Sequence, residues 1–258
     1  MKTFNKLLIV AGSLVAVPAM AATQTWNLNS GSFNNYNYGN VMTVNGADGN
    51  DLQLSGWADT TGSGDAEIQS GQLTYNSSYG LMLRNRDEDT SVPSHSIDNF
   101  DGDYDMVLLS FEEAIDLEGF SIGWATEENS GGQADITLAA FTGAGDFSFG
   151  SGDTWSSVFN DGWSTIAHYG NVSDYSYQAV TTDVTSKYWL IGAYNPIFTG
   201  GDTYGGALGT AYHDGMKLKA IKGTTSTPPP TDVPEPGTLA ILAAGFAGLV
   251  ARRKKAKA

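Results

Sequence analysis

An acidic segment in the middle of the chain carries the residue types best suited to bind a metal ion. Four aspartates surround Gly102 at short spacings, namely Asp98, Asp101, Asp103 and Asp105. Alternating carboxylates can supply oxygen ligands to one centre, and calcium takes about six to eight of them. The segment lacks the terminal glutamate and the flanking helices of an EF-hand, so a structural calcium ion and a solvated acidic loop both stay open. Asp214 is a candidate further ligand by fold analogy alone.

A second candidate is the pentapeptide Gly119–Gly123, which matches the G-x-S-x-G pattern of a hydrolase nucleophile elbow. That elbow requires a strand before the serine and a helix after it. Here Phe120, Ile122 and Trp124 occupy alternate positions, which predicts a strand with these three side chains turned inward. The sequence that follows is typical of a turn. We therefore interpret Ser121 as a residue in the middle of a strand.

Paired acids raise the hypothesis of a glycosidase, which needs two carboxylates about 5–10 Å apart across a sugar. The pairs are Glu112 with Glu113 and Glu127 with Glu128. Adjacent residues of a strand point to opposite faces, so neither pair alone makes such a site. The three histidines are His95, His168 and His213, and their spacing shows no metal-binding pattern. We expect no enzyme, with a secreted glycoside hydrolase as a less favoured alternative.

Aromatic residues suggest a binding function instead. Rings in a β-sandwich mostly belong to the core, but Trp155 and Trp163 lie in Gly-, Ser- and Asp-rich segments that are typical of loops. An exposed indole in a loop could stack on the face of a sugar ring. The sequence thus offers Trp155 and Trp163 as candidate ligand-stacking residues of a carbohydrate-binding module.

The elements that must position these residues are short strands separated by Gly, Asn and Asp turns. Eleven segments qualify: Thr25–Leu28, Val41–Val44, Leu52–Trp57, Ala66–Tyr75, Leu81–Arg84, Met106–Phe111, Gly119–Trp124, Ala134–Phe141, Ala179–Thr182, Lys187–Tyr194 and Met216–Ile221. This pattern predicts an all-β domain, an antiparallel β-sandwich of jelly-roll-like topology. Its predicted core includes Leu108, Ile122, Trp124, Ile136, Leu138 and Leu190.

The charge distribution limits the partners. The whole chain has a formal charge of −15, but residues 22–222 contain six Lys and Arg against 26 Asp and Glu, a net charge of −20. Such a surface repels phosphates, so nucleic acid and anionic lipid are not expected as partners, whereas cations are. Cysteine is absent, which excludes disulfides and thiolate chemistry.

The N-terminal residues have the pattern of a secretory signal peptide. Lys2 and Lys6 give a positive start, residues 7–17 are apolar, and a small-x-small site ends at Ala21. We expect a signal-peptide helix that is cleaved between Ala21 and Ala22.

A second apolar segment lies near the other end of the chain. Residues 238–251 carry no charge and as a helix would cover about 21 Å, short of a hydrocarbon core of about 30 Å. A basic cluster follows at Arg252, Arg253, Lys254 and Lys255. By the positive-inside rule this cluster stops translocation and leaves the folded part outside. A single C-terminal membrane helix is the prediction.

Pro234, Glu235 and Pro236, followed by the apolar helix and the basic cluster, resemble the PEP-CTERM sorting signal of Gram-negative bacteria. The resemblance implies recognition by exosortase, a membrane cysteine protease-transpeptidase. It also implies that the helix anchors the chain only transiently, before the protein reaches the cell surface or the extracellular polymer. Residues 73–221 resemble the ectodomain of many exosortase-dependent surface proteins, which implies a shared fold and no known catalytic residues.

The resulting domain organisation has four parts: a signal peptide at 1–21, an ectodomain at 22–222, a Thr/Pro-rich linker at 223–233 and the sorting signal at 234–258. The expected function is that of an exported surface or extracellular-matrix protein with a structural or adhesive role. The expected partners are exosortase and, as a further candidate, extracellular polysaccharide, with calcium as a candidate structural cofactor.

Overall fold

The computed structural model describes residues 23–60, 64–86, 95–127, 131–209 and 213–225. Their strands are β1 (Thr23–Asn27), β2 (Ser32–Phe33), β3 (Val41–Val44), β4 (Leu52–Asp59), β5 (Ile68–Ser70), β6 (Gln72–Asn76), β7 (Gly80–Arg84), β8 (Ile97–Asp98), β9 (Asp105–Glu127), β10 (Gln133–Phe141), β11 (Trp163–Ser173), β12 (Tyr177–Ala179), β13 (Thr185–Ala193), β14 (Asp202–Gly205) and β15 (Asp214–Thr225). The described helices are a 3-10 turn at Phe100–Gly102 and α1 at Trp155–Asn160.

The prediction of an all-β domain is confirmed, because strands dominate the described residues and the described helices have only three and six residues. The two flanking helices, at the signal peptide and at residues 238–251, lie outside the described residues. The predicted boundary at 222/223 falls inside a strand, since β15 continues to Thr225 and pairs there with Ile115.

Strand β9 organises the fold. Over residues 105–111 it pairs with β4 on one side and β13 on the other. Over residues 115–127 its partner is β15, with β12 on the opposite side near Ser121. The sequence predicted two separate strands here and two separate sheets. We call the strands beside residues 105–111 the first layer and those beside residues 115–127 the second layer. Because one 23-residue strand belongs to both layers, they form a single hydrogen-bonded sheet instead.

Burial on the two sides of β9 defines two clusters of apolar side chains. Val107 and Leu109 face a central core shared by both layers, while Met106 and Leu108 face an outer core. The central core also includes Leu54, Leu83, Ile122, Ile136, Leu138, Trp189 and Leu218. The outer core is covered by α1, through Trp155 and Val158, and by Phe198, which lies between β13 and β14. Alternation along the strand therefore places apolar residues on both faces of the first layer.

Two features depart from the predicted antiparallel sandwich. Strand β14 runs parallel to β11 from Ala167 to Gly170, so the sheet is mixed. Trp124, predicted to be in the core, is only half-buried and faces outward, whereas Ile122 is fully buried. Gly123 is an extra residue at a register shift between Ile122 and Trp124, and such a bulge turns the following side chain to the other face.

Candidate functional site

The acidic segment lies at one end of the sheet, where β8, the 3-10 turn and the start of β9 follow one another. Of the four predicted ligands, Asp98 and Asp105 are buried, Asp103 is half-buried and Asp101 is exposed. The backbone N–H of Asp98 donates to Asp105 Oδ2 at 3.3 Å, and the Ser96 hydroxyl donates to Asp98 Oδ2 at 2.6 Å. The structure thus brings Asp98 and Asp105 together and turns Asp101 away to solvent.

A buried polar network joins this end of the sheet to β15. Asn99 is fully buried, and its Nδ2 donates to the Tyr194 carbonyl at 2.8 Å and to Asp214 Oδ2 at 3.2 Å. In return, the N–H of Asp214 donates to Asn99 Oδ1 at 2.7 Å. The other carboxylate oxygen of Asp214 accepts from the N–H of Asp135 at 2.8 Å. Asn99 thus connects β15 to Tyr194 at the end of β13, and Asp214 connects β15 to β10.

Crowded carboxylates change the acidity of this network. The pKa of Asp214 is raised to about 7, chiefly by burial and in addition by the charges of Asp135 and Glu127. Asp135 itself accepts backbone N–H bonds from Asn171 at 2.7 Å and from Gly209 at 2.5 Å. Because these carboxylates bond to backbone N–H groups and to Asn99 on other segments, the network braces the strands together.

Asp59, at the end of β4, is a second strongly perturbed carboxyl. Its Oδ1 accepts from the N–H of Tyr104 at 2.5 Å, while Oδ2 is buried without a hydrogen-bond partner. Burial, assisted by the charge of Asp103, raises its pKa to about 8. A carboxyl in such a setting carries its proton at neutral pH.

Calcium binding at Asp98, Asp101, Asp103 and Asp105 stays a prediction. Within the five described ranges, no three Asp, Glu or His side chains are grouped so that they could hold a metal ion. A bound ion would neutralise carboxylates that otherwise repel one another, and its removal would lower stability.

The calcium hypothesis expects a melting temperature several degrees higher in calcium than in chelator, measured by thermal unfolding of the purified protein. The same comparison for Asp98→Asn should then show a smaller difference. Equal melting temperatures for the parent chain in the two solutions would end the hypothesis.

The ligand-stacking prediction for Trp155 and Trp163 is not supported. Both rings are buried in the outer core, with 0% and 4% of their surface exposed, and Trp155 Nε1 donates to the Tyr104 carbonyl at 3.0 Å. Trp155 begins α1, which is capped by a reciprocal pair of hydrogen bonds between Thr154 and Ser157. These segments are Gly- and Ser-rich, yet they form a helix and a strand whose rings close the core.

The remaining catalytic candidates are dispersed. Ser121 lies inside β9, paired with Tyr177 on one side and Ala220 on the other, as predicted for a strand residue. Glu112 and Glu113 are both exposed on β9, and Glu128 lies outside the described residues. His168 is buried, with Nδ1 3.0 Å from the Thr137 hydroxyl, and burial lowers its pKa. His95 and His213 precede β8 and β15.

Sequence reasoning missed a cluster on the outer side of β9 and β15, which we call the aromatic–lysine face: Tyr79, Trp124, Tyr175, Lys217 and Lys219. Lys217 Nζ lies 4.8 Å from the ring centroid of Trp124 and 5.6 Å from that of Tyr79. The Tyr79 and Tyr175 rings are 6.2 Å apart, and Lys219 Nζ lies 5.9 Å from Tyr175. The alternation of Lys217 and Lys219 with Met216 and Leu218 was the available signal for part of it.

The predicted signal cleavage site (Ala21, Ala22), sorting motif (Pro234, Glu235, Pro236) and membrane stop (Arg252, Arg253, Lys254, Lys255) lie outside the described residues. Comparison with protein-family models matches residues 232–255 to the PEP-CTERM protein-sorting motif. The match confirms the resemblance drawn from the residues themselves, and it indicates exosortase sorting and export to the cell surface or extracellular space. No curated protein and no solved structure matches the chain. No helix among the described residues is long and apolar enough to cross a membrane.

Proposed function

From the PEP-CTERM motif at residues 232–255, we propose that this chain is an exosortase-sorted surface protein with a structural or adhesive role in the extracellular matrix. The motif is the observation that carries the proposal. In this proposal, residues 238–251 anchor the chain in the membrane until processing. The basic cluster at residues 252–255 holds the inner end of that segment in place.

A structural or adhesive role is supported by what the described residues do with their polar groups. Asn99, Asp135 and Asp214 use theirs to brace strands, and the serine of the hydrolase-like motif is a paired strand residue. Buried side chains that hold neighbouring strands together in this way suit a protein with a mechanical role in a matrix.

Carbohydrate binding is the second candidate, and a specific observation favours it. The aromatic–lysine face leaves the Tyr175 ring 63% exposed beside Tyr79 and Lys219. Exposed aromatic rings with a polar edge are suited to contact sugars, which present C–H bonds on one side and hydroxyls around the rim.

Sorting is tested by replacing Pro234, Glu235 and Pro236 with alanine. The change removes the recognition motif and the prolines that disfavour helix at this point. We expect the protein to stay cell-bound and to keep its basic cluster, whereas the parent protein leaves the membrane in shortened form. Intact-mass measurement of the cell-bound and released species checks this result.

The matched control replaces Pro228, Pro229 and Pro230 of the linker with alanine, and its processing should be normal. If the parent species that leaves the cell still carries Arg252 to Lys255, exosortase sorting is refuted.

A further inference from the structure

The backbone at Tyr175 is strained in a way that burial does not explain. Its φ of 51° lies in the left-handed region, which bulky side chains rarely adopt. The ring is 63% exposed, so it gains little from packing. Residues in such sparsely populated conformations cluster at functional sites, ligand clamps among them.

The exposed apolar side chains of the described residues share one chemistry. The large ones are all tyrosines: Tyr36, Tyr75, Tyr175, Tyr177 and Tyr204. Of these five, Tyr175 belongs to the aromatic–lysine face. A tyrosine presents an apolar ring with a polar tip, which suits a partner that combines C–H surface with many hydroxyls.

Basic residues are concentrated at the same place. Of the six Lys and Arg between residues 22 and 222, Lys217, Lys219 and Lys222 lie on β15. Lys222 is paired with Glu118 at 2.7 Å, but among the described residues neither Lys217 nor Lys219 has a carboxylate within ion-pairing distance. The ammonium groups of Lys217 and Lys219 lie over aromatic rings, and a carboxylate of a ligand would neutralise their positive charge.

A pocket of about 160 Å³ lies further along β9 and β15, and its lining includes Thr25, Ser121, Tyr177 and Lys222. Its hydroxyl groups can exchange hydrogen bonds with a polyhydroxylated ligand. The pocket thus adds hydroxyl groups to the rings and ammonium groups that the aromatic–lysine face offers.

We propose that the aromatic–lysine face binds an acidic polysaccharide, a sugar polymer that carries carboxylate groups. This inference rests on the carbohydrate-binding candidate above and names its ligand class. Sugar rings pack on Tyr79 and Tyr175, and carboxylates pair with Lys217 and Lys219. Asp174 lies beside Tyr175 and its charge acts on the tyrosine hydroxyl, so Lys217 and Lys219 must outweigh one local carboxylate. Charges farther than about 8 Å are largely screened at physiological ionic strength.

The test is calorimetric titration of the full-length chain, purified in a non-ionic detergent, with polygalacturonate, neutral dextran and poly-glutamate. We expect polygalacturonate to bind at least about tenfold more tightly than either other polymer. Tyr175→Gly should weaken binding about tenfold, by loss of one stacked ring, while its melting temperature stays equal or rises because glycine relieves the strained φ. Lys217→Gln combined with Lys219→Gln should weaken binding to polygalacturonate further.

Two matched controls lie outside the face: Tyr36→Ala, which removes an exposed tyrosine, and Lys187→Gln, which removes a lysine of β13. Both should bind as the parent does. The proposal is overturned by no binding of polygalacturonate, by equal binding of dextran or of poly-glutamate, or by control variants that lose as much affinity as the face variants. None of these results bears on sorting, which the mass of the released protein decides separately.

Discussion

Replacing Asp59 with asparagine should stabilise the protein in alkaline solution by several kcal/mol. Asp59 has an ordinary pKa of 3.8 and a folded-state pKa of about 8. As pH rises above 4, the unfolded chain therefore releases this proton before the folded chain does, and the stability of the parent falls until about pH 8. Asparagine is neutral in both states and keeps an oxygen for the N–H of Tyr104, so it escapes this loss.

Each unit of pKa shift corresponds to about 1.4 kcal/mol, so the advantage of Asp59→Asn should grow by roughly 5 kcal/mol between pH 4 and pH 9. Urea unfolding at a series of pH values measures this difference. Asp161→Asn removes an equal charge from an exposed position and controls for the change in net charge. A profile for Asp59→Asn that runs parallel to that of the parent would show that Asp59 is not held neutral.

Replacing Asn99 with alanine should lower the free energy of unfolding by about 3–5 kcal/mol. The change deletes the bonds to the Tyr194 carbonyl and to Asp214 Oδ2, and it leaves the Asp214 N–H without its acceptor. Each buried group that loses its partner costs about 1–3 kcal/mol. Thermal and urea unfolding measure the loss.

A second variant, Asn99→Asp, separates hydrogen bonding from charge. It keeps an oxygen for the Asp214 N–H but sets a carboxylate beside Asp214, so its loss of stability should increase as pH rises through about 7, where Asp214 ionises. Asn45→Ala, at an exposed position, should stay within about 0.5 kcal/mol of the parent. An Asn99→Ala variant as stable as Asn45→Ala would contradict the bracing function of the network.

The sequence predicted the all-β class because period-two alternation is a local property that each strand shows by itself. Strand β3 was predicted with its observed bounds, and Leu108, Ile122, Ile136, Leu138 and Leu190 are buried as expected. The continuity of β9 was not predictable, since Glu112 and Glu113 interrupt its apolar pattern and only the pairing partners decide whether a strand continues there.

The site was less predictable because it depends on single-residue events. Gly123 lies where a Cβ atom would come within 2.1 Å of the Tyr79 carbonyl oxygen, and the bulge there turns Trp124 outward. Alternation counted through Gly123 therefore places Trp124 on the wrong face. The error at Trp163 has the opposite sense, because a core residue was predicted to lie in a loop. Gly162, with a φ of 86°, forms the turn before β11, and the residues around it are typical of a loop.

The pairing of β1 with β15 has a consequence for the order of events during export. Thr23 lies opposite Thr224 and Asn27 opposite Ala220, so β1 pairs with β15. The second half of β9 also pairs with β15, and neither pairing can form before this last strand is available. A chain that crosses the membrane N-terminus first cannot close its central core until residue 225 has emerged, which delays folding as long-range β-pairing does in general. The sorting motif at residues 232–255 is then the next segment to arrive. Completion of the fold and exposure of the sorting motif to exosortase are thus successive steps of export. A domain that has not finished folding when the motif emerges is still next to the enzyme that would release it.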